Sequence, residues 1–144
     1  IWQTGKPFAD KALKCAAGKT NISANEFITK MDYAYAAADL VISRSGAMAI
    51  AELCVCKKPV IFVPFPFAAE DHQTVNAQNL VNKNAGLIIK DNDALNKLIP
   101  AIIALANDQP KQEELKKNIA LLAITNADEI VAKEIIATVQ GNKK

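Results

Sequence analysis

The chain has 144 residues, 51% hydrophobic and 22% charged, a balance that fits one globular domain with a core of its own. A net charge of +2, spread as mixed local charge, gives no case for a nucleic-acid partner. Three cysteines without a CxxC pair or a Cys/His cluster argue against zinc, and no apolar run reaches the roughly 18 residues of a membrane span.

The chain opens on Ile1-Trp2-Gln3, which reads as a strand already in progress, so a fragment of a longer protein is expected. Thr4-Gly5 ends that strand, and Pro7 to Ala17 has helical spacing until Gly18 stops it. A short second strand is expected near Thr20 to Ser23, a loop end at Phe27-Ile28, and a helix from Thr29 to Ala38. Leu40-Val41-Ile42 carries the mark of a buried strand. Gly46 to about Cys56 reads as a helix, with Cys54 and Cys56 pointing to different sides. Buried free thiols in a reducing cytosol are the simplest account of Cys15, Cys54 and Cys56. Val60-Ile61-Phe62-Val63 is an unbroken apolar run, which predicts a strand covered on both faces and hence a parallel sheet.

Pro64 to Asp71 reads as a loop that two prolines hold extended, followed by a helix from His72 to Lys83 and a last strand at Leu87-Ile88-Ile89. Three helices close the chain: about Asp93 to Ala106, Pro110 to Leu122, and Ala127 to Val139. Pro100 is expected to kink or split the first of them, and the end from Gly141 to fray. Strands alternating with helices predict an α/β fold, a doubly wound parallel sheet. Ligands bind such sheets at the carboxyl ends of the strands. The loops Thr4-Gly5, Phe27-Ile28, Ser43 to Gly46, Pro64 to His72 and Lys90 to Asn92 are therefore expected on one rim.

The most informative stretch runs from Asp39 to Glu52. The turn Ser43-Arg44-Ser45-Gly46 offers two hydroxyls as helix N-caps and one glycine. The small, apolar helix start that follows would let an anion approach free backbone N–H groups. Glu52 is the only charge between Arg44 and Lys57 and lies two turns past Ser45, where a sugar diol could donate two hydrogen bonds to it. Solvent, Lys57 or Lys58 would satisfy it equally well. Gln73 and Asn76 share a helix face, and their amides donate and accept at once, as sugar hydroxyls require. A polar helix end capped by Asp71 accounts for them without a ligand. His72, the one histidine, follows Glu70-Asp71 and has no evident nucleophile to serve, so no Ser/His/Asp set is argued.

Taken together these segments resemble a known family. Ala38-Asp39-Leu40-Val41-Ile42-Ser43-Arg44-Ser45-Gly46-Ala47, then Glu52, Pro59 through Pro66, and His72-Gln73-Thr74-Val75-Asn76-Ala77 are similar to the MurG family. Trp2-Gln3-Thr4-Gly5 and Phe27 through Met31 fit as well. These bacterial enzymes transfer N-acetylglucosamine from UDP-N-acetylglucosamine to undecaprenyl-diphosphate-linked muramyl pentapeptide, converting lipid I to lipid II for peptidoglycan. The resemblance implies a Rossmann-like domain, the donor-binding C-terminal half of a two-domain GT-B glycosyltransferase, over residues 1–144. The acceptor domain, its membrane-facing patch, the proposed catalytic base and a Gly-rich first loop would all precede Ile1. It implies that Ile28 lies against the uracil. Arg44, Ser45, Gly46, Ala47, Met48, Ala49, Ile50, Ala51 and Glu52 would carry the diphosphate and ribose, with Glu52 on the ribose hydroxyls. Arg44 would add charge if its side chain turned inward. Gln73 and Asn76 would read the N-acetylglucosamine hydroxyls. No metal or other cofactor is implied, and the whole enzyme would sit peripherally on the cytoplasmic face of the cell membrane. A donor-binding subunit of another UDP-sugar transferase, or a non-catalytic α/β interaction domain, are the other readings.

Overall fold

The computed structural model describes residues 1–141, and these form two compact units, Ile1–Leu40 and the chain from Val41 onward. In the first unit, β1 (Trp2–Gln3) pairs in parallel with β2 (Ala24–Asn25). A short 3-10 turn and α1 (Ala9–Ala16) connect them, and α2 (Met31–Ala37) follows. Ala9 and Ala12 are the buried residues of α1. The second strand thus falls at Ala24–Asn25 and not at Thr20 to Ser23. The register decides this, since Trp2 stands opposite Ala24 and Gln3 opposite Asn25.

In the second unit β3 (Val41–Ser43), β4 (Val60–Phe62) and β5 (Leu87–Ile88) form a parallel sheet in that order. The crossovers are α3 (Ala47–Cys56) and α4 (His72–Val81), and α5 (Asp91–Ala106), α6 (Gln109–Ala120) and α7 (Ala127–Gly141) close the described chain. The α/β architecture with parallel strands is the one that strand–helix alternation predicts. Residues 142–144, where fraying is expected, lie outside the described residues; Gly141 itself is still helical.

The core gathers around β4. Val60, Ile61 and Phe62 are fully buried, as an unbroken apolar run in a central parallel strand should be. Leu53 of α3, Ala77 and Leu80 of α4, Leu105 of α5, and Leu115 and Ile119 of α6 join them. β3 departs from expectation: Ile42 is 43% exposed, because β3 is the edge strand of this three-stranded sheet. Gly86, just before β5, is a close-approach glycine. A Cβ there would stand 2.9 Å from Cε2 of the fully buried Phe62 ring and 3.2 Å from Val60 Cγ1. Gly86→Ala overpacks the site and is expected to destabilise the unit by about 1–3 kcal/mol. A denaturant midpoint equal to wild type would contradict this.

Pro100 does not split α5, which runs unbroken from Asp91 to Ala106. Pro100 and Asn96 are both exposed, so water can take the carbonyl freed by the missing N–H. The α5–α6 corner is closed by Gln112, whose Nε2 donates to the carbonyls of Leu105 (2.9 Å) and Ala106 (3.2 Å). The Asp108 carboxylate caps α6 by accepting from Lys111 N (3.0 Å). Among the described residues no helix is long and apolar enough to cross a membrane.

Candidate functional site

In the second unit the candidate residues converge on the turn that joins β3 to α3. Neither serine caps the helix. Gly46 takes the N-cap position and no side chain caps α3. Ser43 Oγ donates to the Arg44 carbonyl (2.8 Å), and Ser45 Oγ to the Gln73 carbonyl (2.8 Å). The expected hydroxyl caps are therefore corrected: α4 draws Ser45 inward, and burial leaves its hydroxyl no reach to the helix. The first-turn N–H groups of α3 have no intrahelical partner, and Ala47 and Met48 stand exposed there. A helix beginning in this way carries the positive end of its dipole outward.

Three bonds from α4 hold Ser45, which is fully buried. Besides its hydroxyl bond, its N–H donates to Gln73 Oε1 (3.2 Å) and its carbonyl accepts from Asn76 Nδ2 (3.2 Å). Gln73 Oε1 also accepts the Phe65 N–H (3.1 Å), so one amide oxygen spans the ends of β3 and β4. Gln73 and Asn76 do share a face, and that face first organises the turn. A shallow recess of about 210 Å³ opens between α3 and α4, lined by Ala47, Ile50, Asn76, Asn79 and Leu80.

Arg44 points along the strand ends. Its Nη1 donates to the carbonyls of Val63 (3.0 Å) and Pro64 (3.1 Å) and pairs with the Asp91 carboxylate at the start of α5. Its guanidinium carbon lies 5.6 Å from the centre of the Phe65 ring. The loops after β3, β4 and β5 thus meet on one rim, as expected for parallel strands. Glu52 is exposed on α3. Burial, and after it the Glu52 carboxylate, push the Cys56 thiol up from its usual range, while Lys58 pulls it down. Burial also raises Cys54, against Lys83. The expectation of buried thiols holds for Cys54, but Cys56 is half-buried and Cys15 exposed, on a short helix whose buried residues are Ala9 and Ala12.

The loop into α4 carries Glu70 (φ 51°) and Asp71 (φ 53°) in the left-handed region. Asp71 does not cap α4 through its side chain; its carboxylate accepts the Thr74 hydroxyl at 2.6 Å. His72 Nδ1 lies 2.6 Å from the Ala69 carbonyl. Ser45 and His72 each take a backbone carbonyl as partner. Ile28 lies in the first unit, half-buried, with its N–H donating to Gln3 Oε1 (2.8 Å).

Sequence reasoning missed Asp91 and Phe65. Asp91 reads as an ordinary acidic residue in a helix's first turn, and nothing local marks it as the partner of a residue 47 positions earlier.

A sequence model of the glycosyltransferase family 28 C-terminal domain matches residues 1–133. The chain belongs to that family. Among curated relatives, a transferase from Flavobacterium psychrophilum is 46% identical over 99% of this chain and 39% of its own length. One from Bacteroides fragilis is 48% identical over 97% of this chain and 38% of its own length. Both are named UDP-N-acetylglucosamine--N-acetylmuramyl-(pentapeptide) pyrophosphoryl-undecaprenol N-acetylglucosamine transferase. The chain spans about two fifths of the length of these relatives. The crystal structure of Acinetobacter baumannii MurG is 28% identical and superposes with a TM-score of 0.81, over 95% of this chain and 42% of that one. A glycotransferase of kitacinnamycin, 18% identical with a TM-score of 0.61, shares the fold. For this family 28 domain, the Rossmann-like α/β build inferred from the sequence is the observed one.

Proposed function

We propose that this family 28 domain is the donor-binding part of a transferase that moves N-acetylglucosamine from UDP-N-acetylglucosamine to an undecaprenyl-diphosphate-linked muramyl pentapeptide. The observation that carries the reading is the uncapped, outward-facing start of α3, framed by two amide side chains of α4, in a chain 46–48% identical to transferases of that name. The diphosphate lies against the N–H groups from Gly46 through Ala49, where the helix dipole and unpaired donors favour negative charge. Along α3, Ile50 and Ala51 line the way to Glu52, whose carboxylate takes the ribose hydroxyls. Gln73 turns its Nε2 donors, and Asn76 its carbonyl oxygen, toward the sugar. Ser45 contributes by shaping the turn, since its polar groups are already bonded within the unit.

In the reaction a hydroxyl of the acceptor sugar attacks the anomeric carbon and UDP departs. The charge that develops on the leaving diphosphate meets the oriented N–H groups of α3, which need no rearrangement to receive it. Acceptor binding, proton removal and contact with the cytoplasmic face of the membrane belong to the remainder of a two-domain enzyme.

Titrating the intact gene product with UDP-N-acetylglucosamine is expected to protect or shift the amides of residues 44–52. A folded protein with no perturbation in that segment rejects the site. Glu52→Ala is expected to weaken donor binding by about 1.5–3 kcal/mol, the range for a hydrogen bond to a charged group. Calorimetric titration measures it, and unchanged affinity removes Glu52 from the site.

A further inference from the structure

Asp91 sits where an anion site should least tolerate a carboxylate. It opens α5, on the rim where the loops after β3, β4 and β5 meet, and it faces Arg44 of the turn that leads into α3. Arg44 Nη1 gathers the Asp91 carboxylate and the carbonyls of Val63 and Pro64. Gln73 ties the same two loops through the N–H groups of Ser45 and Phe65. The turn is therefore held by a cation that collects acceptors and by an amide oxygen that collects donors. Cutting the first tie leaves the turn held only from α4, by the bonds of Gln73 and Asn76 to Ser45.

We infer that Asp91 is a positioning residue for the donor site: by holding Arg44 across the strand ends, it fixes the turn Ser43–Gly46 so that the first N–H groups of α3 keep one direction. This rests on the donor-site reading above. Two accounts of the pair make opposite predictions. If Arg44 were itself the ligand of the diphosphate, Asp91 would compete with the phosphate for it and repel the anion. Neutralising Asp91 would then tighten binding. If the pair positions the turn, neutralising Asp91 loosens the N–H groups, and binding of phosphate-bearing ligands weakens.

The test uses the intact gene product, with UDP and uridine as probes in calorimetric or NMR titration. Asp91→Asn is expected to weaken UDP about fivefold, within the range of coupling between contacting residues, and to leave uridine affinity unchanged. Asp91→Glu restores most of the loss. Arg44→Lys, which keeps the charge but not the planar fork, reproduces it. UDP affinity that is unchanged or tighter in Asp91→Asn overturns the inference. So does an equal loss for uridine and UDP, which marks general destabilisation, or an Arg44→Lys variant that binds as wild type. Wild-type protein that binds neither probe overturns the donor-site reading itself, and the positioning role falls with it.

Discussion

Replacing Phe62 with alanine is expected to destabilise the second unit by about 3–5 kcal/mol, the cost of truncating a well-packed aromatic. Phe62 is fully buried in the central strand. It stands opposite Ser43 on one side and Ile88 on the other, and its ring packs over Gly86. The damage reaches the site, because the residue paired with Phe62 is the one that opens the Ser43–Gly46 turn. Chemical denaturation should show a lower midpoint with an unchanged slope, the signature of lost stability without a change in compactness. A loss below about 1 kcal/mol would mean that the core lies elsewhere.

Gln73→Met is the second. The side chain keeps its length and loses its acceptor, which leaves the N–H of the buried Ser45 and that of Phe65 without a partner. A stranded buried donor costs about 1–3 kcal/mol; Phe65 is exposed and water can reach its N–H, so the whole cost stays at about 1–3 kcal/mol. Donor affinity should fall with it, as both the turn and the proposed sugar contact are lost. Gln73→Glu separates the two roles. It retains an acceptor oxygen for both N–H groups and removes the Nε2 donors, so it should stay within about 1 kcal/mol of wild-type stability while still binding the donor more weakly. Thermal melts paired with UDP-N-acetylglucosamine titrations make the comparison. A Gln73→Met protein as stable as wild type would show that the amide oxygen does not hold the turn.

Local pattern carried much of this protein. The apolar run at Val60 to Phe62 announced a strand covered on both faces, because only a central strand can hide three successive side chains. Alternation of strands and helices implied parallel pairing, since parallel neighbours need a crossover between them. The small residues after Ser45 pointed to a helix start open to an anion, and the spacing of Gln73 and Asn76 put both amides on one face. Each of these follows from backbone periodicity over a few residues.

The tertiary structure decided which partner each polar group takes. Two serines in a turn before a helix are both competent caps, and only the packing of α4 beside the turn draws Ser45 inward to Gln73. Arg44 could have faced solvent, a phosphate or a carboxylate, and it meets Asp91 because parallel strands deliver the start of α5 to the same rim. The edge position of β3 exposes Ile42, although the run Leu40-Val41-Ile42 is as apolar as that of a buried strand. The sequence by itself determined the helices, every strand but the second, which pairing register moved to Ala24–Asn25, and the residue types brought to the strand ends. Which of those residues hold the turn, and which are left to meet a ligand, was settled by hydrogen-bond partners 19 to 47 positions away, and a periodicity of two or 3.6 residues carries no information at that range.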